Sequence, residues 1–330
     1  MADDLRLIAL PTRLIATADA TREQTESWIA WLILESDRPR EVVVEALETR
    51  ALRAGVVTRM TRLTGTGLDA VVVRAGLTPM DRDGHPLSSP TAWLLRIRLR
   101  CTEPAAVRVN QLQVELSLRE GSERRTVSAS FSIERVTPRT VLRFPFVGRG
   151  LLTQGGVTNG GHRNRSGQFA LDVVGVGDTW NIYREGIDES RSDSYAGWGR
   201  PIIAPADGRI VRARGDRPDQ PDPEKSDPRF YVPEYPNGGD PGNHVVIDHG
   251  NGEFSHVAHF QAGSLRVRLG DAVRAGDPIG LLGSSGDTVT PHVHYQLQSG
   301  PDIEHSDGLP CAFTNLPGER LVRGAFLHAR

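Results

Sequence analysis

Between Glu41 and Phe146 apolar and polar residues alternate with a period of two. Leu95, Ile97, Leu99 and Cys101 are separated by Arg96, Arg98 and Arg100; Leu112, Val114, Leu116 and Leu118 by Gln113, Glu115 and Ser117; and Val127, Ala129, Phe131 and Ile133 by polar residues. Successive side chains of a strand point to opposite faces, so each run offers one face to a core and one to water, the pattern of antiparallel strands. Turn-forming residues lie between the runs at Asp83-Gly84, Ser88-Ser89-Pro90, Glu103-Pro104 and Glu120-Gly121-Ser122. Several strands at this spacing, with no helical repeat between them, predict an antiparallel β-sandwich, with an immunoglobulin-like shape as one form of it. The arginines at 96, 98 and 100 read as a solvated strand face in preference to a binding stripe. Near Thr137-Pro138 the alternation breaks, and Phe144-Pro145-Phe146 leads into Gly148, Gly150 and Gly155-Gly156. The expected division is therefore a β-sandwich domain over 1–145 and a second domain over 146–330, unless the segment before the boundary is itself a strand of the second domain.

The second part is patterned differently. Phe169-Ala170-Leu171-Asp172-Val173-Val174 reads as a buried strand with a carboxylate inside it. An unpaired buried carboxylate is costly, so Asp172 needs a partner, either a cation or one of the many arginines. In Pro291-His292-Val293-His294-Tyr295 the run onward to Leu297 suggests a strand, which puts His292 and His294 on one side. Such a pair suits a metal and a base, although a lone His-x-His is also compatible with a surface coincidence or with two hydrogen-bonded imidazoles. His162 follows Gly160-Gly161, ten residues before Asp172, in a loop able to swing back to the same place. Two histidines and a carboxylate with one position left for water form a catalytic zinc set.

Composition sharpens this contrast. Of 330 residues, enough for two domains, positions 1–150 hold 8 of the 35 glycines and one histidine, His85; the remaining nine histidines and 27 glycines follow. Metal or acid–base chemistry therefore belongs to the second part. With 39 Lys+Arg against 41 Asp+Glu, the formal net charge of −2 argues against a generally basic nucleic-acid or anionic-membrane surface. Cys101 and Cys311 fit neither a paired-cysteine metal site nor a disulfide framework. The longest apolar run, Trp28 to Leu34, is far short of the roughly 20 residues that span a bilayer, so no transmembrane segment is expected. The start Met1-Ala2-Asp3-Asp4 is acidic where a secretory signal is basic, and the expectation is an intracellular chain or a targeting segment outside this sequence.

The stretch from about Gly160 to Gly300 resembles the lysostaphin/LytM-type zinc metallopeptidases, many of which cut peptide cross-links of bacterial cell walls. The likeness is carried by an ordered set covering less than half of the chain. It runs through Pro201-Ile202-Ile203-Ala204-Pro205-Ala206-Asp207-Gly208, Gly242-Asn243-His244-Val245-Val246-Ile247-Asp248-His249-Gly250, Val257-Ala258-His259-Phe260, Val273-Arg274-Ala275-Gly276-Asp277, Gly283-Ser284-Ser285-Gly286 and Pro291-His292-Val293-His294-Tyr295. The resemblance implies an antiparallel β-sheet peptidase domain with Zn2+ held by His162, Asp172 and His294. It also implies His292 as general base, with His259 assisting it or the developing oxyanion. The expected activity is a zinc-dependent endopeptidase acting on a peptide or peptidoglycan substrate. A cell-envelope or secreted location would follow from the family, though no signal peptide is visible.

Two departures stand out. Many relatives place the first histidine four residues before the aspartate, whereas His162 precedes Asp172 by ten. The segment Asp216 to Asp240, with Pro218, Pro221, Pro223, Pro228, Pro233 and Pro236, replaces a short connection and can be neither helix nor central strand. It is a surface decoration or a wall of the substrate groove. Asp178 to Gly199, with Trp180, Tyr183, Tyr195 and Trp198, is a second candidate wall. Among the other histidines, His249 is expected at a hairpin turn, His244 either in the groove or as a plain strand residue, and His305 and His328 in solvent. His256, three residues before His259, is expected on the opposite face by strand alternation and carries no assigned chemistry. The rival class is a non-catalytic module that keeps the fold and binds wall peptides or a partner protein. Degenerate relatives typically lack ligands, and here no expected position is missing.

Overall fold

The apolar run around Trp28 is the centre of a sheet. In the computed structural model Thr25–Ser36 forms a twelve-residue strand in which Trp28, Ala30, Leu32 and Leu34 are buried on one face. The structure describes residues 5–10, 13–18, 24–36, 41–74, 92–155, 162, 166–223, 225, 240–303, 305–316 and 321–330. The expected turns at 83–84 and 88–90, His85, and Pro228, Pro233 and Pro236 lie outside them. Contacts divide the chain into two compact units, Met1–Val136 and Thr137–Arg330.

The first unit contains β1 (Leu5–Leu10), β2 (Arg13–Ile15), β3 (Thr17–Ala18), β4 (Thr25–Ser36), β5 (Val43–Arg53), β6 (Val56–Leu63), β7 (Val72–Arg74), β8 (Ala92–Pro104), β9 (Gln111–Glu120) and β10 (Glu123–Glu134). One sheet runs β1-β4-β8-β7, with β3 also on β4, and the other runs β2-β10-β9-β5-β6. Pairing is antiparallel except between β2 and β10. Leu32, Leu34 and Ile97 of the first sheet share one core with Leu47, Leu116 and Phe131 of the second. The period-two runs thus mark strands as their alternation requires. This topology does not establish an immunoglobulin-like arrangement. Glu103-Pro104, expected as a turn, is the end of β8. Of the arginine row, Arg100 is exposed, Arg98 is half-buried over the Trp31 ring, and the Arg96 side chain is outside the description.

The second unit holds β11 (Gly148–Gly155), β12 (Leu171–Gly175), β13 (Pro201–Ile203), β14 (Gly208–Arg214), β15 (His244–Asp248), β16 (Phe254–Ala258), β17 (Ala272–Val273), β18 (Pro278–Leu281), β19 (Val293–Gln298), β20 (Gly308–Leu309) and β21 (Phe326–Ala329). Its main sheet runs β17-β14-β15-β16-β19-β12-β11-β21, with β20 on β19, and β13 pairs with β18. Residues 137–146 pack into this unit. Glu253 accepts hydrogen bonds from the Arg139 and Thr140 backbone nitrogens, each at 2.8 Å, and buried Phe144 meets Phe146 and Phe313 edge-on. Tyr295, on the same side of β19 as Val293 and Leu297, packs its ring against Phe313, so the apolar core lies on one face of the sheet. Among the described residues no helix is long and apolar enough to cross a membrane.

Candidate metal and catalytic site

The other face of this sheet is polar although it is buried. Strand register puts Asp172, His294, Ala258 and His244 in one row across β12, β19, β16 and β15, and Gln296, His256 and Val246 in the next. Because side chains of one face recur every two residues, a single choice of face collects all of these polar groups.

Asp172 is the hub. It is 9% exposed. His294 Nδ1 lies 2.9 Å from its Oδ1, His162 Nε2 lies 3.2 Å from its Oδ2, and His292 Nε2 lies 3.5 Å from Oδ1. Burial would raise its pKa, but the His162 and His292 rings and their hydrogen bonds outweigh that and hold it well below the usual carboxylate range. The partner that the sequence demanded is thus a histidine cluster and not an arginine. His162, Asp172 and His294 each offer a ligand atom, all within 4.8 Å of one another. Ligand atoms of a tetrahedral zinc are roughly 3.3 Å apart for bonds of about 2.0–2.1 Å. The His162–Asp172 separation of 3.2 Å is close to that spacing, the His294–Asp172 separation of 2.9 Å is shorter and to the other oxygen, and the donor set of two nitrogens and a carboxylate suits the ion. His162 Nδ1 is buried without a hydrogen bond, so the ring is not held by a competing acceptor at that end.

His292 and His259 stand beside this set, their rings 4.6 Å apart. His292 Nδ1 meets the Thr290 carbonyl at 2.6 Å, and His259 Nδ1 meets that of Ser285 at 2.8 Å. A carbonyl can only accept, so both rings carry hydrogen at Nδ1 and a lone pair at Nε2 when neutral. Burial depresses the pKa of His292, but the charge and hydrogen bond of Asp172 and the Thr290 carbonyl reverse the sign and raise it. For His259 burial is reinforced by His292 and His294, and its pKa falls well below the ordinary value. The backbone at His259 is left-handed, with φ 66°, an uncommon state for a residue with a side chain.

That twist explains a correction. Alternation along β16 was expected to put His256 and His259 on opposite faces, but β16 ends at Ala258 and the chain turns at His259. His256 faces His294 by register, and the turn brings the His259 ring there as well, with centroids 5.8 Å and 5.9 Å away. His256 is 1% exposed, neither ring nitrogen has a partner, and burial, then His244 and His294, push its pKa well below normal. His244 is buried too, with Nδ1 2.9 Å from the Gly242 carbonyl and its ring against His256. His249 bridges the Asp207 carbonyl and Ser255 Oγ, and His305 and His328 are exposed. Sequence reasoning also passed over Gln296 and Gln298. The signal was there: polar residues continue every second position after His294 in a strand whose alternate residues are apolar.

The described start of the 216–240 segment is stitched to the site's supporting loops. Asp219 accepts from the Ala262 and Ser284 nitrogens, both at 2.9 Å, and Arg217 N donates to Asn243 Oδ1 at 2.8 Å. These bonds steady residues 284–286, which carry the carbonyl held by His259. Residues 178–199 fold on themselves through the Tyr183–Tyr195 pair, with Trp180 exposed against Phe326 and Arg149. Cys101 and Cys311 are free, and burial pushes their thiols up to about 11 and about 12, so neither is a thiolate at neutral pH.

Residues 190–306 match the profile of peptidase family M23. The C-terminal unit carries an M23 peptidase domain. His259, His292 and His294 fall inside the match, and His162 and Asp172 precede it. Over 56 residues the chain is 41% identical to peptidoglycan DD-endopeptidase ShyA of Vibrio cholerae, covering 17% of this chain and 13% of that one. It is 41% identical over 54 residues to the murein hydrolase activator EnvC of Escherichia coli, covering 16% and 12%. A longer match, 31% over 133 residues, is to DD-carboxypeptidase/endopeptidase Mpg of Neisseria meningitidis, covering 40% and 24%. The chain therefore spans a quarter or less of these relatives.

Proposed function

We propose that the M23 domain is a zinc-dependent endopeptidase acting on the peptides of peptidoglycan. The convergence of His162, Asp172 and His294 donor atoms beside two further imidazoles carries this reading. His162 Nε2, Asp172 and His294 Nδ1 would hold the ion, which when bound supplies Lewis acidity that polarises a carbonyl and acidifies water. His292 takes the water's proton at Nε2, since Nδ1 is committed to Thr290. His259 presents a second Nε2 lone pair, but its depressed basicity leaves the first proton to His292. The two rings are too close to be charged together, so one proton is shared and returned to the leaving amine. In this state His259 acts as an acceptor beside the base, and it donates to an oxyanion only once protonated. The name of ShyA supports peptidoglycan as the substrate class, and that of Mpg supports an endopeptidase.

A second reading, a non-catalytic partner of a wall hydrolase, draws on the name of EnvC. Parallel alanine variants separate the two. His294→Ala should lose zinc and hydrolysis, whereas His292→Ala should keep stoichiometric zinc and lose hydrolysis by at least about a hundredfold. Full hydrolysis by either variant contradicts the assignment, and a zinc-free, inactive wild type supports the second reading.

A further inference from the structure

We propose that Gln296 and Gln298 set the tautomer of His294, holding hydrogen at Nε2 so that Nδ1 is presented as the ligand nitrogen; the functional consequence rests on the zinc reading above. The three residues occupy alternate positions of β19 and share one face. Their hydrogen bonds have a direction that is decided at the far end. The Gly300 carbonyl can only accept, so Gln298 must turn Nε2–H to it, at 2.7 Å. Gln298 Oε1 then faces Gln296 and accepts from its Nε2. Gln296 Oε1 is left toward His294 Nε2, 3.0 Å away, and an amide oxygen has no hydrogen to give. Asp172 Oδ1, 2.9 Å from His294 Nδ1, is an acceptor as well, so the two compete for the ring's hydrogen until a cation on Nδ1 takes that place; the amide chain then receives the hydrogen at Nε2.

An amide alone could take either of two nearly isosteric orientations, and a backbone carbonyl removes the choice. Burial removes the alternatives: Gln296 is 2% exposed and Gln298 0%. His256, opposite Gln296 in the β16–β19 ladder, makes no hydrogen bond that competes. Gln296 and Gln298 act through His294 and are positioning residues. A ligating imidazole held at its other nitrogen is typical of metal sites, and loss of such support commonly weakens metal binding about 10–100-fold.

Zn2+ titration of the full chain against a chromophoric chelator tests the consequence. Gln296→Leu should weaken Zn2+ binding about 10–100-fold. Nitrogen NMR of the zinc-loaded wild type tests the tautomer directly and applies even if Gln296→Leu does not fold. A hydrogen on His294 Nε2 is the expected result. A zinc-loaded His294 with its hydrogen at Nδ1, or wild-type zinc affinity in folded Gln296→Leu, overturns the proposal. A wild type that binds no Zn2+ but shows hydrogen on Nε2 without it upholds the tautomer and counts against the zinc reading alone.

Discussion

His256 shows what a single residue adds to and costs this site. Both of its ring nitrogens are buried without partners, and its ring lies between those of His244 and His294. A buried polar group without a hydrogen bond costs about 1–3 kcal/mol, whereas an apolar group of similar size there does not. His256→Leu should therefore stabilise the protein by about 1 kcal/mol in urea unfolding and leave zinc affinity within a few-fold of wild type. A loss of stability would mean that the imidazole has a polar partner in solution. The same comparison distinguishes His256 from Asp172 and His294, whose polar atoms face one another.

At the scale of elements, the site depends on loops that meet at glycines. Gly286, at φ +83°, lies against Gly242, at φ +63°, so closely that a Cβ on Gly286 would come within 2.5 Å of the Asp240 carbonyl oxygen and nearer still to the Gly242 nitrogen. Both obstacles are backbone, which cannot swing aside. Gly286→Ala should destabilise the C-terminal unit by about 3 kcal/mol or more and displace the Ser285 carbonyl that orients His259. Thermal unfolding with wild-type stability would contradict this close approach. Much of the site was legible because strands encode it simply. Period two put Asp172 inside a buried strand and His292 and His294 on one side, and the ordered glycine and histidine segments pointed to the peptidase family. What stayed hidden depends on where a strand stops. His256 and His259 meet on one side because β16 ends at Ala258 and the chain turns at His259, and alternation carries no mark of that end. The strands before Glu41 were obscured for a similar reason, since β4 is buried well beyond a single alternating face.

Across the whole molecule, the histidines make stability depend on pH. Burial lowers the pKa of His244, His249, His256, His259 and His294, whereas that of His292 is raised. A lowered group binds its proton first in the unfolded chain, so its contribution is lost as pH falls below the unfolded value near 6.5. His292 has the opposite sign: its contribution is complete below about 6.5 and is lost as pH rises through its raised folded value. Asp172 adds nothing in this window, because its contribution is lost only at far lower pH. The carboxyls of Glu103 and Asp219, raised by burial, share the sign of His292. The five lowered histidines, two of them well below the ordinary value, outweigh these, and the metal-free protein should melt at a lower temperature at pH 5 than at pH 7, an equal or higher melting point at pH 5 contradicting the sign. The most direct test of the central claim is mass spectrometry of the fragments released from purified peptidoglycan by the zinc-loaded full chain. Newly cut peptide bonds are expected with the wild type, abolished by chelator, and none with zinc-loaded His292→Ala. Intact peptide bonds after exposure to a wild type shown to hold one zinc would contradict the claim.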